Sequence, residues 1–233
     1  MQHTSDALRA WFRNVQPLCA ELFNAAHVMC GNYDMAEYAL RSAILDVWLQ
    51  GSAGSMGFRE RLRGTLRREA CAVALSEEGR AAEFTWPGPG GGQDDSPIDA
   101  QLAHEDIRTQ RLVMLRHGCA LPLRQVCRLT GMTQGQARAE LSRFEARCRR
   151  RLPAQDRSRA EALIARHAKR LLSKASPDAP QPGQLYRAFE AEAGVAHSRG
   201  PRVWRVFGSL LLALLALVCA GAFWLFAVLV QPG

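Results

Sequence analysis

The chain has 233 residues and a formal net charge of +8, a length that allows one or two small domains. Residues 104–170 hold fifteen Arg and one Lys against six acidic residues, a net of +10, whereas residues 1–78 have a net charge of −1. This asymmetry indicates a polyanionic partner, nucleic acid or anionic lipid, although a solvated basic face explains it equally well. The seven cysteines include no CxxC pair, which argues against a disulfide-stabilised secreted domain.

The first third of the chain has the apolar spacing of three helices. Residues 7–29 carry apolar side chains at helical intervals, which predicts the first helix. A second helix is expected over about 34–49 and a third over about 58–75. Three such helices enclose one small apolar core, so residues 5–78 are predicted to form a helical domain.

A helix-turn-helix is predicted in the basic half of the chain. Residues 79–98 contain the run PGPGGGQDDSP, which is typical of a flexible linker between domains. Residues 99–175 are predicted to form a second helical domain beyond this linker. Within it, Gly131 supplies a turn between two helices, and Thr133 is the expected N-cap of the second helix.

Polar side chains near the start of that second helix are candidates for reading DNA. In a helix-turn-helix this part of the helix enters the major groove, where Gln pairs with adenine and Arg with guanine. They would be ordinary solvated residues in a small bundle that binds no DNA, but the charge of the segment favours DNA. The candidates for DNA contact are Gln134, Gln136 and Arg138 near the start of this helix, Arg143 and Arg147 further along it, and Arg124 on the preceding helix, where it suits a phosphate.

An apolar segment near the C-terminus predicts a membrane anchor. Residues 206–230 are 25 consecutive residues without a charge, and a helix rising about 1.5 Å per residue then crosses a hydrocarbon core of about 30 Å. Arginines at 199–205 precede this span, so the positive-inside rule places residues 1–203 in the cytoplasm. We expect a single-pass, tail-anchored protein of the cell inner membrane, in contact with the lipid bilayer, with a loose juxtamembrane segment at 176–205.

The order of these elements resembles the bacterial RNA polymerase sigma factors of the small extracytoplasmic-function type. Residues 31–48, GNYDMAEYALRSAILDVW, are similar to the core-binding helix pair of that family, and residues 58–75 to the helix that opens the −10 promoter element. Residues 121–143 follow the spacing of region 4, the helix-turn-helix that reads the −35 element. The matching positions are Gly31, Asp34, Ala36, Glu37, Leu45, Trp48, Phe58, Arg59, Leu62, Arg67, Leu121, Val126, Leu129, Gly131, Gly135, Arg138, Leu141 and Arg143.

The resemblance, which covers about residues 5–152, implies an all-α fold of two small helical domains, region 2-like and region 4-like, joined by a flexible linker; the apolar run adds one transmembrane helix. Together they imply a membrane-tethered regulator of transcription initiation, not an enzyme, with promoter DNA, core RNA polymerase and an anti-sigma or regulatory membrane protein as partners. Glu37, Arg41 and Asp46 are candidates for binding polymerase, although helix solvation explains the two acidic residues equally well. The sequence indicates no catalytic residue, metal-ligand set or cofactor.

Departures from the family pattern keep two alternatives open. Arg41 and Ser42 stand where the family has an acidic and amide-rich pair, and Arg61 replaces an aromatic residue of the melting helix. One alternative is a membrane-bound DNA-binding regulator that has lost polymerase binding. The other is a helical membrane adaptor that binds a sigma or anti-sigma partner without initiating transcription.

Overall fold

A computed structural model describes residues 2–51, 57–85, 88, 96–174 and 179–198, and these are mostly helical with no strand among them. The predicted all-α class is therefore confirmed. The α-helices are α1 (Gln2–Val15), α2 (Cys19–Cys30), α3 (Tyr33–Leu49), α4 (Phe58–Leu75), α5 (Glu77–Ala81), α6 (Pro97–Ala103), α7 (Ile107–Val113), α8 (Leu123–Thr130), α9 (Gln134–Arg151), α10 (Ala160–Ser173) and α11 (Pro182–Ser198). Short 3-10 turns occupy Gln16–Leu18 and Ala154–Arg159, and a π-helical turn occupies Met114–Gly118.

The first predicted helix is wrong as a single element, because the chain divides it into α1 and α2. Pro17 lies in the 3-10 turn between them, where its missing N–H would break a continuous α-helix. Gly31 ends α2 in the left-handed conformation at φ 72°, and the Asn32 side chain caps α3 by accepting a backbone N–H at 3.2 Å. The helices expected over about 34–49 and 58–75 are present as α3 and α4.

An aromatic cluster joins α11 to the first helices. The Trp11 ring centroid lies 5.3 Å from that of Trp48, 5.7 Å from that of Phe58 and 5.5 Å from that of Phe189. Phe189 belongs to α11 and is fully buried. Within the juxtamembrane segment predicted at 176–205, residues 182–198 form a helix, and Tyr186 and Phe189 near its start pack in the cluster.

The C-terminal ends of α10 and α2 are each capped by a side chain that is distant in the sequence. Asn24 of α2 donates two hydrogen bonds of 2.8 Å to the backbone oxygens of Leu172 and Lys174, at the C-terminal end of α10. Arg111 of α7 donates to the backbone oxygens at positions 28 and 29, the C-terminal end of α2, at 3.0 and 2.7 Å. Carbonyls of the last helical turn have no partner within their own helix, so these side chains satisfy them.

These contacts bring the segments on either side of the predicted linker together. The described residues up to Phe189 belong to one compact unit, and those from Glu190 onward belong to a second. Helix α5 and the segment around Phe84 extend structure into the predicted linker, whereas residues 89–95 lie outside the described residues. The division into two domains stays a prediction.

The predicted membrane span at 206–230 lies outside the residues that the structure describes. Within the described ranges, no helix is both long enough and apolar enough to cross a bilayer.

Candidate nucleic-acid interface

The helix-turn-helix expected from the sequence is present as α8, a three-residue turn and α9. Gly131 ends α8 with φ +69°, and no atom lies within 4 Å of the position that a Cβ would take. Glycine is therefore required there by the backbone conformation and not by crowding. Thr133 begins α9 as its N-cap, as predicted, and forms a capping box with Gln136. The backbone N–H of Gln136 donates to Thr133 Oγ1 at 3.2 Å, and Thr133 N–H donates to Gln136 Oε1 at 2.9 Å.

Helix α9 separates an apolar face from a polar one. Ala137, Phe144 and Cys148 are buried, and Leu141 is half-buried. Positions three, four and seven residues apart share one face of a helix, so these apolar side chains attach α9 to the rest of the fold. The opposite face is open to solvent and carries the candidate contacts.

Five of the six candidate DNA contacts are exposed: Arg124, Gln134, Gln136, Arg138 and Arg143. Arg138 Nη2 lies 3.5 Å from Gln134 Oε1, at the limit of a hydrogen bond, and Arg143 Nη1 lies 2.8 Å from Glu140 Oε2. Both pairs are within one helix and face water, where such interactions are weak and easily exchanged. The Gln136 side chain, by contrast, already serves the capping box.

Arg147 stands apart from the other candidates because it is engaged inside the fold. Its guanidinium donates to both carboxylate oxygens of Glu105 at 2.8 Å and to Glu140 at 3.4 Å. Gln101 also donates to the Glu105 carboxylate, whose side chain is only 10% exposed. The network fixes α9 to the turn between α6 and α7, a role that the spacing of arginines along α9 did not indicate.

The solvent-facing side of α9 has a feature that the sequence analysis missed. A line of small exposed residues runs along its centre, with arginines on both sides. The spacing of four, three and four residues places them on one face, and this pattern is readable from the sequence alone. Small side chains let the helix backbone approach a groove closely. The line consists of Gly135, Ala139, Ser142 and Ala146, and the flanking cations are Arg138, Arg143, Arg149 and Arg150.

The residues proposed for polymerase binding are all half-buried on α3. Glu37 Oε1 lies 3.6 Å from Arg41 Nη1, one helical turn away. Asp46 accepts hydrogen bonds from Arg68 of α4 at 2.9 Å and from the Gln50 side chain at 2.8 Å. The acidic groups of this surface therefore already have cationic or amide partners within the protein.

A cluster of Ser96, Asp99, His167 and Arg170 has residue types found in hydrolases, but its geometry fits a structural role. Ser96 Oγ lies 3.3 Å from Nδ1 and 3.4 Å from Nε2 of His167, so it favours neither ring nitrogen. Asp99 is buried and pairs with Arg170, and its Oδ1 lies 3.3 Å from His167 Nδ1. The cluster joins α6 to α10. Among the described residues, no group of three His, Cys, Asp or Glu side chains is placed to hold a metal ion.

Comparison of the chain with protein-family models, with curated proteins and with solved structures finds no match. The proposed function therefore rests on the geometry of α8, its turn and α9.

Proposed function

We propose that this protein is a membrane-tethered, sigma-factor-like regulator of transcription initiation that binds promoter DNA through α8, the turn at Gly131 and α9. The single observation that supports DNA binding most strongly is the exposed polar face of α9, with Arg138 and Arg143 on a helix held by buried Phe144. That face lies in the segment with a net charge of +10. A basic helix on a helix-turn-helix is the element that enters the major groove.

The roles of the contacts follow from their places on the two helices. Gln134 and Arg138 lie in the first turns of α9, which is the part that reaches base edges, so we assign them to reading sequence. Arg143 lies further along α9 and Arg124 lies on α8, so we assign both to phosphates, which position a protein without reading sequence. Arg147 is left out of this set because Glu105 and Glu140 hold it.

The proposed polymerase contact uses α3. In this proposal Glu37, Arg41 and Asp46 exchange their internal pairs for contacts with core RNA polymerase. Half-exposed pairs of this kind contribute about 0–1 kcal/mol, so the exchange has a low cost. An anti-sigma or regulatory membrane protein would compete for the same parts of the chain.

A second candidate is a membrane-bound DNA-binding regulator without polymerase binding. It is favoured by the engagement of Asp46 with Arg68 and Gln50, because both hydrogen bonds satisfy this carboxylate within the protein. The helical adaptor, which binds neither DNA nor polymerase, is the third arrangement that the same sequence fits.

The membrane part of the proposal rests on residues 206–230. We propose that they anchor the chain in the inner membrane with residues 1–203 in the cytoplasm, since the arginines at 199–205 precede the apolar run. Each Arg near an anionic lipid surface adds attraction of roughly 1 kcal/mol. Tethering would confine DNA binding to the membrane surface.

Fluorescence anisotropy of the full-length protein in a nonionic detergent, with a labelled DNA duplex, tests DNA binding. We expect Arg138→Ala with Arg143→Ala to weaken binding, because two charge-assisted contacts are lost. Arg13→Ala with Arg80→Ala removes the same charge from exposed positions on α1 and α5 and serves as the control. Equal losses in the two double variants would show a general charge effect and overturn the assignment to α9.

A pull-down of the full-length protein with core RNA polymerase separates the candidates. Retention of polymerase together with DNA binding supports the sigma-like function. DNA binding without polymerase retention supports the second candidate. If neither occurs and the Arg138 and Arg143 variants keep the wild-type cellular phenotype, the adaptor remains and the proposed function is overturned.

A further inference from the structure

A cavity of about 280 Å³ lies where α2, α4, α10 and the segment following the π-helical turn meet. The buried side chains of Leu22, Met29 and Leu66 close its apolar base, and Ala25 and Ala120 add apolar surface that stays accessible. None of the residues of α9 lines this cavity, so it is separate from the proposed DNA interface. A concave site with an apolar wall is the form that small-molecule sites take.

The rim of the cavity carries a net positive charge. Arg63 donates to both carboxylate oxygens of Glu21 at 2.8 and 3.1 Å, so these two side chains form a neutral pair. Arg67 and Lys169 add two positive charges, and neither forms an ion pair with any residue that the structure describes. Among the described residues that line the cavity, Glu21 is the one carboxylate and is already neutralised, while the exposed side chains of Arg67, from α4, and Lys169, from α10, stay available.

The backbone at the third side of the cavity is held in an unusual conformation. Ala120 has φ +54° and is the one non-glycine residue with positive φ in the described part of the chain. It follows the π-helical turn, and a Cβ placed at Gly118 would lie 3.1 Å from Leu172 Cδ1, so the segment is pressed against α10. Sparsely populated backbone conformations and π-helical turns concentrate at binding sites.

We propose that this cavity binds a small phosphorylated molecule, with its phosphoryl group at Arg67 and Lys169 and its apolar portion against Ala25 and Ala120. A guanidinium and an ammonium are the two side-chain donors best suited to a phosphoryl anion. A DNA backbone offers the same anion, but a duplex is too broad to enter a concavity of this size. The cavity and its charges favour the small molecule.

A ligand bound in this cavity would link two helices from different parts of the chain. Arg67 belongs to α4, and Lys169 belongs to α10 on the far side of the linker in sequence. A phosphoryl group bound by both would neutralise their mutual repulsion and hold the two helices together. This proposal does not depend on DNA binding by α9.

Isothermal titration calorimetry of the full-length protein in a nonionic detergent, with inorganic pyrophosphate at constant ionic strength, tests the proposal. We expect saturable binding that Arg67→Gln with Lys169→Gln weakens about tenfold or more. Arg13→Gln with Arg166→Gln makes the same charge change on α1 and α10, away from the cavity, and should leave the affinity within about twofold. Ala25→Leu fills the cavity without removing a charge and should also weaken binding, so it keeps the test valid if the double variant unfolds.

Four results would overturn the proposal. Three are the absence of saturable pyrophosphate binding, an equal loss in the cavity and control double variants, and unchanged binding in Ala25→Leu. A fourth is weaker binding of duplex DNA by the Arg67 and Lys169 variant with unchanged pyrophosphate binding, which would assign both cations to a DNA backbone.

Discussion

Replacing Arg147 with Ala tests whether this arginine serves the fold or the DNA. Its guanidinium donates to both oxygens of Glu105 at 2.8 Å and to Glu140 at 3.4 Å. The Arg147 side chain is 30% exposed and that of Glu105 only 10%. Truncation would therefore leave a nearly buried carboxylate without its cation, with the hydrogen bond from the Gln101 side chain still in place.

The size of the effect follows from this partial burial. Removing one partner of a buried ion pair costs about 3–5 kcal/mol, whereas an exposed pair contributes about 0–1 kcal/mol. Because Glu105 is nearly buried and Arg147 is partly exposed, we expect Arg147→Ala to lower the free energy of unfolding by about 2 kcal/mol. Arg143→Ala serves as the comparison: its side chain is 64% exposed, so the expected loss is under about 0.5 kcal/mol.

For DNA binding we expect the opposite order, with a larger effect of Arg143→Ala than of Arg147→Ala. A phosphate contact made by Arg143 contributes about 0.9 to the slope of log affinity against log salt, so Arg143→Ala should lower that slope by about this amount. Arg147→Ala should leave the slope unchanged in the fraction of protein that remains folded.

Urea unfolding followed by circular dichroism measures the first effect, and anisotropy over a salt series measures the second. The reasoning would be refuted by Arg147→Ala with wild-type stability and a reduced salt slope. That outcome would mean that Arg147 leaves Glu105 to contact phosphate.

Three further changes test the packing around the helix-turn-helix. Arg111→Met should lower the free energy of unfolding by about 3 kcal/mol in the same urea assay, because two C-terminal carbonyls of α2 lose a charged donor and Phe84 loses its cation. The control Arg108→Met, at an exposed position, should change it by about zero. Gly131→Ala should cost about 1 kcal/mol, measured by urea unfolding, because φ +69° strains any residue with a Cβ; a wild-type value would contradict the turn geometry. Hydrogen bonds from Thr109 and Arg108 hold the pKa of Asp106 below its ordinary 3.8, against the opposing effect of desolvation. The ionised Asp106 carboxylate therefore stabilises the fold above pH 3.8, and this contribution is lost as the pH falls through and below that value. Asp106→Asn should make the free energy of unfolding depend less on pH in the acid range, and an unchanged dependence would contradict the role of Asp106 as the cap of α7.

Local patterns predicted several elements of the fold correctly. Helices α3 and α4, the turn at Gly131 and the N-cap at Thr133 all follow from apolar periodicity, a residue without a Cβ and a side chain that accepts a backbone N–H. Each of these depends on neighbours within a few residues. The division between α1 and α2 was missed, although Pro17 marks it, because the apolar spacing continues through the 3-10 turn.

Contacts between distant segments could not be predicted in the same way. Arginines along α9 look alike in sequence, yet Arg147 meets Glu105, 42 residues earlier, whereas Arg143 faces water. The ring of Phe189 likewise packs on that of Trp11, which is distant in the sequence. Nothing in the local sequence indicates which of several similar side chains will find such a partner.

The sequence by itself determined the all-α class, the helix-turn-helix and the basic character of the second half, because helix periodicity, capping and charge are local properties. Only the tertiary structure decided which cations remain available to a ligand. The contact with a nearly buried carboxylate engages Arg147 within the fold, and the packing of α4 and α10 against α2 forms the cavity that Arg67 and Lys169 line. The composition sets the number of cationic side chains, but the contacts formed on folding decide which of them stay accessible to a ligand.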